Sequence, residues 1–371
     1  MSAASERWIG ERVRRAGYAD AAAFLDAHAL RPYRLEQLYR AATKELVDGV
    51  ADITVLPVQT RERLASEGFT LEALEPLTLQ HSSDRQTTKG LFKLHDGSEV
   101  EAVLMEHRGG RSTVCISSQA GCAYKCSFCA TGQGGFTRNL EATEIFDQAR
   151  FFARDLKRRE KKITNIVFMG QGEPFANFAP VMDAVALLND PHGFGLGHRH
   201  ITISTVGLVP QIDRFGEESL QVNLAISLHA PTDELRSRIM PVNRRYPVAE
   251  LMAACKRYVE RTNRKVFFEY VMLEGFNDDD AAAHALAGLM AGRLYHVNLI
   301  PYNTTPDGPF RGTVEGRIRA FQRILDAAGV PTTVRVPMGR DIAAACGQLQ
   351  AETQPKAHAL QHQTDTDATL Q

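Results

Sequence analysis

The chain has 371 residues, 44% of them apolar and 23% charged, an ordinary balance that excludes a disordered, collagen-like or disulfide-scaffold protein. At about 150 residues per domain, the length allows two to three domains or one large α/β domain with an appendage. Forty-three basic against 44 acidic side chains give a net charge of −1, which excludes a general nucleic-acid coat and means that any nucleic-acid partner must meet local basic patches.

Residues 1 to about 75 read as a small helical module, with apolar positions at helical spacing over 21–28, 34–46 and 58–67 and breaks at Pro32 and Pro57. From Leu79 to Met105 the pattern turns to short alternating stretches, and Asp96-Gly97 is placed to turn a β-hairpin. This predicts a linking β element over 76–107. From Arg111 onward, short apolar runs alternate with longer helical patterns. The runs are STVCISS, TNIVFMG, HITISTV, VNLAISL, KVFFEYVML, HVNLIP and TTVRVP, and the helices between them are expected over 141–159, 180–189, 208–215, 248–261, 279–290 and 314–328. That alternation predicts an α/β fold with a parallel sheet over 108–349. Six or seven βα units are too few for a closed eight-stranded barrel and suit an open, partial TIM-like (β/α)6 barrel. The polar segment 350–371 reads as a disordered tail, where His358 and His362 have nothing to fix a metal geometry. No apolar run approaches the roughly 18 residues a membrane span needs, and the opening residues lack an apolar signal core, so a cytoplasmic protein with no membrane attachment is expected.

Four of the six cysteines, Cys115, Cys122, Cys126 and Cys129, fall within fifteen positions. In a reducing compartment such clustering points to metal or redox chemistry rather than to disulfides. The last three are spaced C-x3-C-x2-C directly after the first predicted barrel strand. Three thiolates from one loop can hold three irons of a [4Fe–4S] cube and leave the fourth open to a ligand. Structural zinc instead prefers four protein ligands, commonly paired as C-x2-C. Gly172-Glu173-Pro174 follows the next strand, where a flexible backbone and an acceptor carboxylate can meet an amino group. Ser204, the Ser227-Leu228-His229 run and Asn303 lie at or near the ends of later strands. Taken singly, a Ser or Asn there is an ordinary turn residue; their joint placement with the cysteine loop at five strand ends makes one site.

The cysteine spacing, with Phe128 before the third cysteine and a βα core behind it, resembles the radical S-adenosylmethionine (SAM) superfamily. The stretches STVCISSQAGCAYKCSFCATGQGGFTRNL, FMGQGEPFAN, ITISTVGLVP, LAISLHAPTDELRSRIMPVNRRYP, HVNLIPYN and GRDIAAACGQL are similar to the RlmN family, dual-specificity methyltransferases acting at C2 of an adenine in 23S rRNA and of the adenine next to the anticodon in tRNA. The resemblance implies that Cys122, Cys126 and Cys129 ligate the cluster, and that Gly172, Glu173, Ser204, Ser227, Leu228, His229 and Asn303 bind SAM.

It also gives roles to two outlying cysteines that would otherwise read as buried apolar residues. Cys346 takes a methyl from a first SAM by displacement, and a radical from a second SAM removes hydrogen from that methyl. The resulting carbon radical adds to adenine C2, and Cys115 then attacks the Cys346 sulfur, freeing the base through a transient disulfide. Glu101 matches the general base that takes the C2 proton, with Glu99 and Glu106 as competing carboxylates. Cys255 matches nothing and reads as structural. Gln171 departs from the methionine commonest at that place in the family. The implied partners are 23S rRNA, tRNA and an external electron donor such as flavodoxin, with the protein a monomer.

Basic residues cluster locally at Arg12, Arg14 and Arg15, at Lys157-Arg158-Arg159 with Lys161-Lys162, and at Arg244-Arg245. The group at 157–162 reads either as a solvated helix end or as an RNA contact. The N-terminal module is the expected place for recognition of RNA shape. Two rival readings stand beside this one: a Cfr-type methyltransferase acting at C8 of the same rRNA adenine, and a non-catalytic, metal-stabilised RNA-binding factor.

Overall fold

The computed structural model describes residues 1–218, 220–303 and 309–349; the tail with His358 and His362 lies outside them. The N-terminal module has four helices: α1 (Ala3–Arg15), α2 (Ala21–Ala27), α3 (Tyr33–Thr43) and α4 (Val58–Ser66). Helix α1 was not evident in the sequence because charges interrupt its apolar face. Ser2 caps it, accepting from the Ser5 N–H at 3.1 Å, and Ala4, Trp8, Ile9 and Val13 are buried on one side.

Strands β1 (Glu75–His81), β2 (Thr87–Lys93) and β3 (Glu99–Glu106) follow as an antiparallel set. The expected hairpin is β2–β3, with Gly97 at φ 85° in its turn. Its second strand, β3, pairs antiparallel with β4 (Ser112–Cys115), Val103 standing opposite Cys115. The cysteine loop is framed by a small hairpin of β5 (Gln119–Gly121) and β6 (Phe136–Asn139), with the one-turn α5 (Ala130–Gly134) between them.

The βα alternation then runs α6 (Ala142–Arg158), β7 (Asn165–Phe168), α7 (Phe178–Asn189), β8 (Ile201–Thr205), α8 (Val209–Glu217), β9 (Asn223–Ser227), α9 (Asp233–Ile239), α10 (Val248–Thr262), β10 (Val266–Met272), α11 (Asp280–Met290), β11 (Tyr295–Pro301), α12 (Glu315–Ala327) and β12 (Thr332–Val334). The ten-stranded sheet has the order β1-β2-β3-β4-β7-β8-β9-β10-β11-β12, and every pair from β4 to β12 is parallel. Spatial order follows chain order without reversal, as in a barrel wall that stays open. Among the described residues no helix is long and apolar enough to cross a membrane.

The N-terminal module is fastened to α6 by ion pairs. Arg12 reaches Asp147 at 2.6 Å with both side chains almost wholly buried, and the Asp147 carboxylate also accepts from the Ala73 N–H at 2.5 Å. Arg15 meets Glu141 and Glu144, while Arg150 and Arg154 share Glu72. Lys157 donates to the Glu45 carbonyl and Arg158 to Asp48. Arg159 and Lys161 both bind Glu106 on β3. The basic run at the end of α6, which the sequence left open between solvent and RNA, is therefore largely committed within the protein.

Candidate active site

A cavity of about 400 Å³ runs through the inside of the open barrel, lined from strand starts such as Asn165 and Asn223 to the loops at the C-terminal ends of the strands. Its walls include Cys122, Cys126 and Cys129 of the loop, both Cys115 and Cys346, and Gly172, Glu173, Ser204, Ser227, His229 and Asn303. Two expected residues do not line it. Leu228 is fully buried behind the wall, where its N–H donates to the Glu269 carbonyl at 3.1 Å. Glu101 sits deeper in β3.

The cysteine loop is a tight structure. Gly121 at its entry has φ 76°, and a Cβ there would stand 2.1 Å from the Gly135 carbonyl oxygen, so only glycine fits. The Cys122 N–H donates to that same carbonyl at 2.6 Å, the Cys129 N–H to the Cys126 carbonyl at 3.1 Å, and the Ser127 N–H to the Ile239 carbonyl at 3.0 Å. Burial pushes the Cys122 thiol up to about 11, and burial with the two neighbouring cysteines carries Cys126 well above its usual range. Positive charge placed among them would favour the thiolates. Among the described residues no three His, Cys, Asp or Glu side chains gather as they would around one ion. A four-iron cube binds each thiolate at a different iron, so its ligands need not converge on a point. Three thiols on one wall of one cavity fit such a cluster.

Glu173 is the second element. Gly172 before it has φ 95°, and a Cβ there would fall 2.5 Å from Gln119, which lets the backbone pass close to β5. The Glu173 carboxylate accepts from the Phe175 N–H at 3.0 Å and the Val206 N–H at 2.7 Å. Burial nevertheless raises its carboxyl to about 7. No cationic side chain pairs with it among the described residues. A buried carboxylate that reaches a cavity and lacks a cation suits an ammonium group, such as that of SAM.

His229 has φ 58°, uncommon for a residue with a Cβ. Its Nδ1 accepts from the Val271 N–H at 3.1 Å, which leaves the proton on Nε2, and burial holds its pKa down at about 3. The ring is therefore neutral, and it stands edge-on to Phe128 with centroids 4.7 Å apart. Ser204 and Ser227 bring their hydroxyls to 3.4 Å on adjacent strands. Asn303 accepts from Arg340 Nε at 2.6 Å, which ties it to the segment carrying Cys346.

That segment folds back over the cysteine loop. The Ala130 N–H donates to the Gly347 carbonyl at 2.8 Å, and Thr131 Oγ1 donates to the Leu349 carbonyl at 2.6 Å. Cys115, Val103, Ala344 and Leu349 pack as one small apolar cluster. Cys346 is exposed while Cys115 is buried, and burial together with nearby Cys346 pushes the Cys115 thiol above its ordinary range. Cys255 is wholly buried in α10, in keeping with a packing role.

Glu101 shares the face of β3 that carries Val103 and Met105. Its carboxylate pairs with Lys89 at 3.1 Å, and Lys89 also reaches the Ala343 carbonyl at 3.5 Å. The Glu101 backbone N–H donates to the Gln171 side chain at 3.2 Å, so the residue that departs from the family pattern helps hold Glu101. Two cavity residues went unnoticed in the sequence, Glu269 and Arg335, which pair at 3.6 Å. Asn298 also donates to Glu269 at 2.8 Å. The available signal was a lone carboxylate inside the apolar run KVFFEYVML.

Residues 116–287 match the radical SAM superfamily. The chain is 49% identical over 328 residues to the probable dual-specificity RNA methyltransferase RlmN of Chloroflexus aurantiacus, covering 85% of this chain and 86% of the relative. It is 44% identical to the ribosomal RNA large subunit methyltransferase N of Nitrosopumilus maritimus, covering 86% of this chain and 93% of the relative. The crystal structure of a radical SAM methyltransferase from Sphaerobacter thermophilus superposes with a TM-score of 0.86 at 46% identity, covering 95% of this chain and all of that one. The chain belongs to the RlmN family of radical SAM methyltransferases.

Proposed function

We propose that this enzyme methylates C2 of an adenine in RNA, with 23S rRNA and the adenine next to the anticodon in tRNA as its substrates. The observation that carries the proposal is the placement of Cys346 and Cys115 in the cavity that also holds the three loop cysteines. The names of the relatives support an RNA substrate.

In this reading Glu173 holds the ammonium group of SAM, and Ser204, Ser227, His229 and Asn303 position the rest of the molecule. Cys346, exposed within the cavity, takes a methyl from one substrate SAM: its sulfur forms the new S–C bond, the sulfonium–methyl bond breaks, and the thiol proton is released. When bound, a cluster that Cys122, Cys126 and Cys129 would hold, together with a second SAM, would supply the carbon radical that removes a hydrogen atom from this methyl, and would take back the odd electron once that carbon has bonded to adenine. The carbon on Cys346 then bonds to adenine C2, a position with no lone pair to attack a methyl donor. In this reading the C2 proton passes to Glu101, which lies on β3 behind the cavity wall, paired with Lys89. The Cys115 thiolate attacks the Cys346 sulfur, the carbon–sulfur bond breaks with its electron pair going to carbon, that carbon takes a proton back from Glu101 to complete the methyl, and the methylated base leaves while a disulfide remains. A cytoplasmic electron donor of the flavodoxin kind returns the pair to thiols. The helical module, fixed to the barrel by ion pairs, serves as a rigid gauge of RNA shape.

Replacing Cys115 by alanine tests this scheme. The Cys115→Ala enzyme, supplied with SAM, reductant and RNA, should accumulate a covalent protein–RNA adduct that Cys115→Ala/Cys346→Ala does not form. Methylation that persists in Cys346→Ala contradicts the scheme.

A further inference from the structure

A row of aromatic rings leads outward from the cavity. Tyr302, which lines the cavity, meets Phe310 edge-on with centroids 6.4 Å apart, and Phe310 meets Phe276 edge-on at 5.6 Å. Above Phe276 lies the guanidinium of Arg238, 4.7 Å from the ring centroid. Exposure rises along the row: Tyr302 is buried, Phe310 and Phe276 are half-buried, and Arg238 is exposed. The row therefore joins the interior of the site to the surface.

The outer end is held in place. Asn277, next to Phe276, is fully buried; its side chain donates to the His229 and Val271 carbonyls, both at 2.7 Å, and accepts from the Leu273 N–H at 2.8 Å. The neighbouring Asp278 accepts from the Gly275 N–H and from Thr313. Phe276 thus sits on a fixed loop tied to His229, and a ring held this way loses little freedom when something stacks on it.

The cations also separate by role. On α9, Arg236 is buried and spends its guanidinium on the Leu228 and Val206 carbonyls and on Asn243. Arg238, two residues on, makes no ion pair among the described residues. On α6, Lys157 and Arg158 are already engaged by Glu45 and Asp48 of the N-terminal module, whereas Arg238 has no such acidic partner among the described residues. The stretch after α9 supplies Arg244 and Arg245, the latter lying 5.3 Å from the Tyr246 ring centroid, and it is joined to the cysteine loop by the Ser127–Ile239 hydrogen bond. Paired arginine and aromatic groups on a row of rings that begins in the cavity wall suit single-stranded nucleic acid, whose bases stack and whose phosphates need cations.

We infer that Phe276 and Arg238, continued inward by Phe310 and Tyr302, form a stacking site for the unpaired nucleotide beside the target adenine. The inference rests on the RNA reading above. An adenine drawn into the cavity leaves its neighbour without a stacking partner, and this row, running outward from Tyr302, offers one.

The test uses the anaerobically reconstituted enzyme and two RNA hairpins carrying the target adenine in the loop, with 2-aminopurine on the 5′ side in one and on the 3′ side in the other. Binding to the wild-type enzyme should quench one of the two probes beyond its free-hairpin level. Phe276→Leu keeps an apolar side chain but loses the ring: it should abolish that quench and weaken hairpin binding about tenfold, the loss of one stacked base. Phe276→Tyr should restore both, and Arg238→Gln should weaken binding in the same direction. The stacking site is overturned if Phe276→Leu binds and quenches as wild type does. A wild-type enzyme that binds neither hairpin overturns the RNA reading itself, and the stacking site with it.

Discussion

Ala130 and Gly347, each the residue after a cysteine that lines the cavity, are joined by a backbone hydrogen bond of 2.8 Å. The third loop cysteine and Cys346, over two hundred residues apart in sequence, are thereby placed on adjoining backbones. A second bond from Thr131 to the Leu349 carbonyl reinforces the contact, and Gly339, whose Cβ would stand 2.7 Å from Thr87, lets the same segment close against β2.

Thr131→Val keeps the side-chain shape and removes the bond to Leu349, a loss of about 1 kcal/mol in the docking of this segment. The expected result is faster alkylation of Cys346 by iodoacetamide at unchanged iron content. Cys115, buried in the cluster with Val103, should stay unmodified in both proteins until they unfold. Peptide mass spectrometry reads both sites, and equal Cys346 rates in the two proteins would show that the bond does not hold the segment.

The Arg12–Asp147 pair fastens the N-terminal module to α6 with both charges out of water. Removing one partner strands the other, so Arg12→Ala should lower stability by about 3–5 kcal/mol. The apolar double replacement Arg12→Met/Asp147→Leu should recover part of that loss, because it buries no charge, although the Ala73 N–H then lacks its acceptor. Urea unfolding of the three proteins decides; a single variant that unfolds with wild type would mean that the pair is solvated.

Much of the site was legible because its signals are local. The C-x3-C-x2-C spacing, the Gly172-Glu173-Pro174 turn and the residues at strand ends all belong to short stretches, and βα alternation sends strand ends to one mouth. Glu269 was hidden because a single carboxylate in KVFFEYVML does not disturb the pattern of a buried strand. The role of Arg12, Arg15 and the α6 cations depends on acids far away in sequence, so composition alone could not separate an ion-paired surface from an RNA-facing one. Helix α9 and the β5–β6 hairpin are too short to show a period. Leu228 belongs to a contiguous sequence run, yet strand alternation turns its side chain away from the cavity that His229 and Ser227 reach.

Burial lifts the Glu173 carboxyl from an ordinary 4.5 to about 7. The folded protein therefore holds this proton more tightly than the unfolded chain, and between those values it binds more protons. Stability of the cluster-free, SAM-free protein should fall as pH rises through this window, by about 3 kcal/mol in all. Glu173→Gln carries no charge, so its stability relative to wild type should grow between pH 5 and 8. Anaerobic urea midpoints across that range measure the difference, and parallel curves would refute the assignment.

The central claim is tested most directly by anaerobic turnover of the reconstituted enzyme with methyl-labelled SAM and a deproteinised 23S rRNA fragment, with mass spectrometry of the nucleosides and Cys346→Ala run alongside. Labelled 2-methyladenosine is expected with the wild-type enzyme and none with the variant. Labelled 8-methyladenosine, or 2-methyladenosine formed equally by Cys346→Ala, would contradict it.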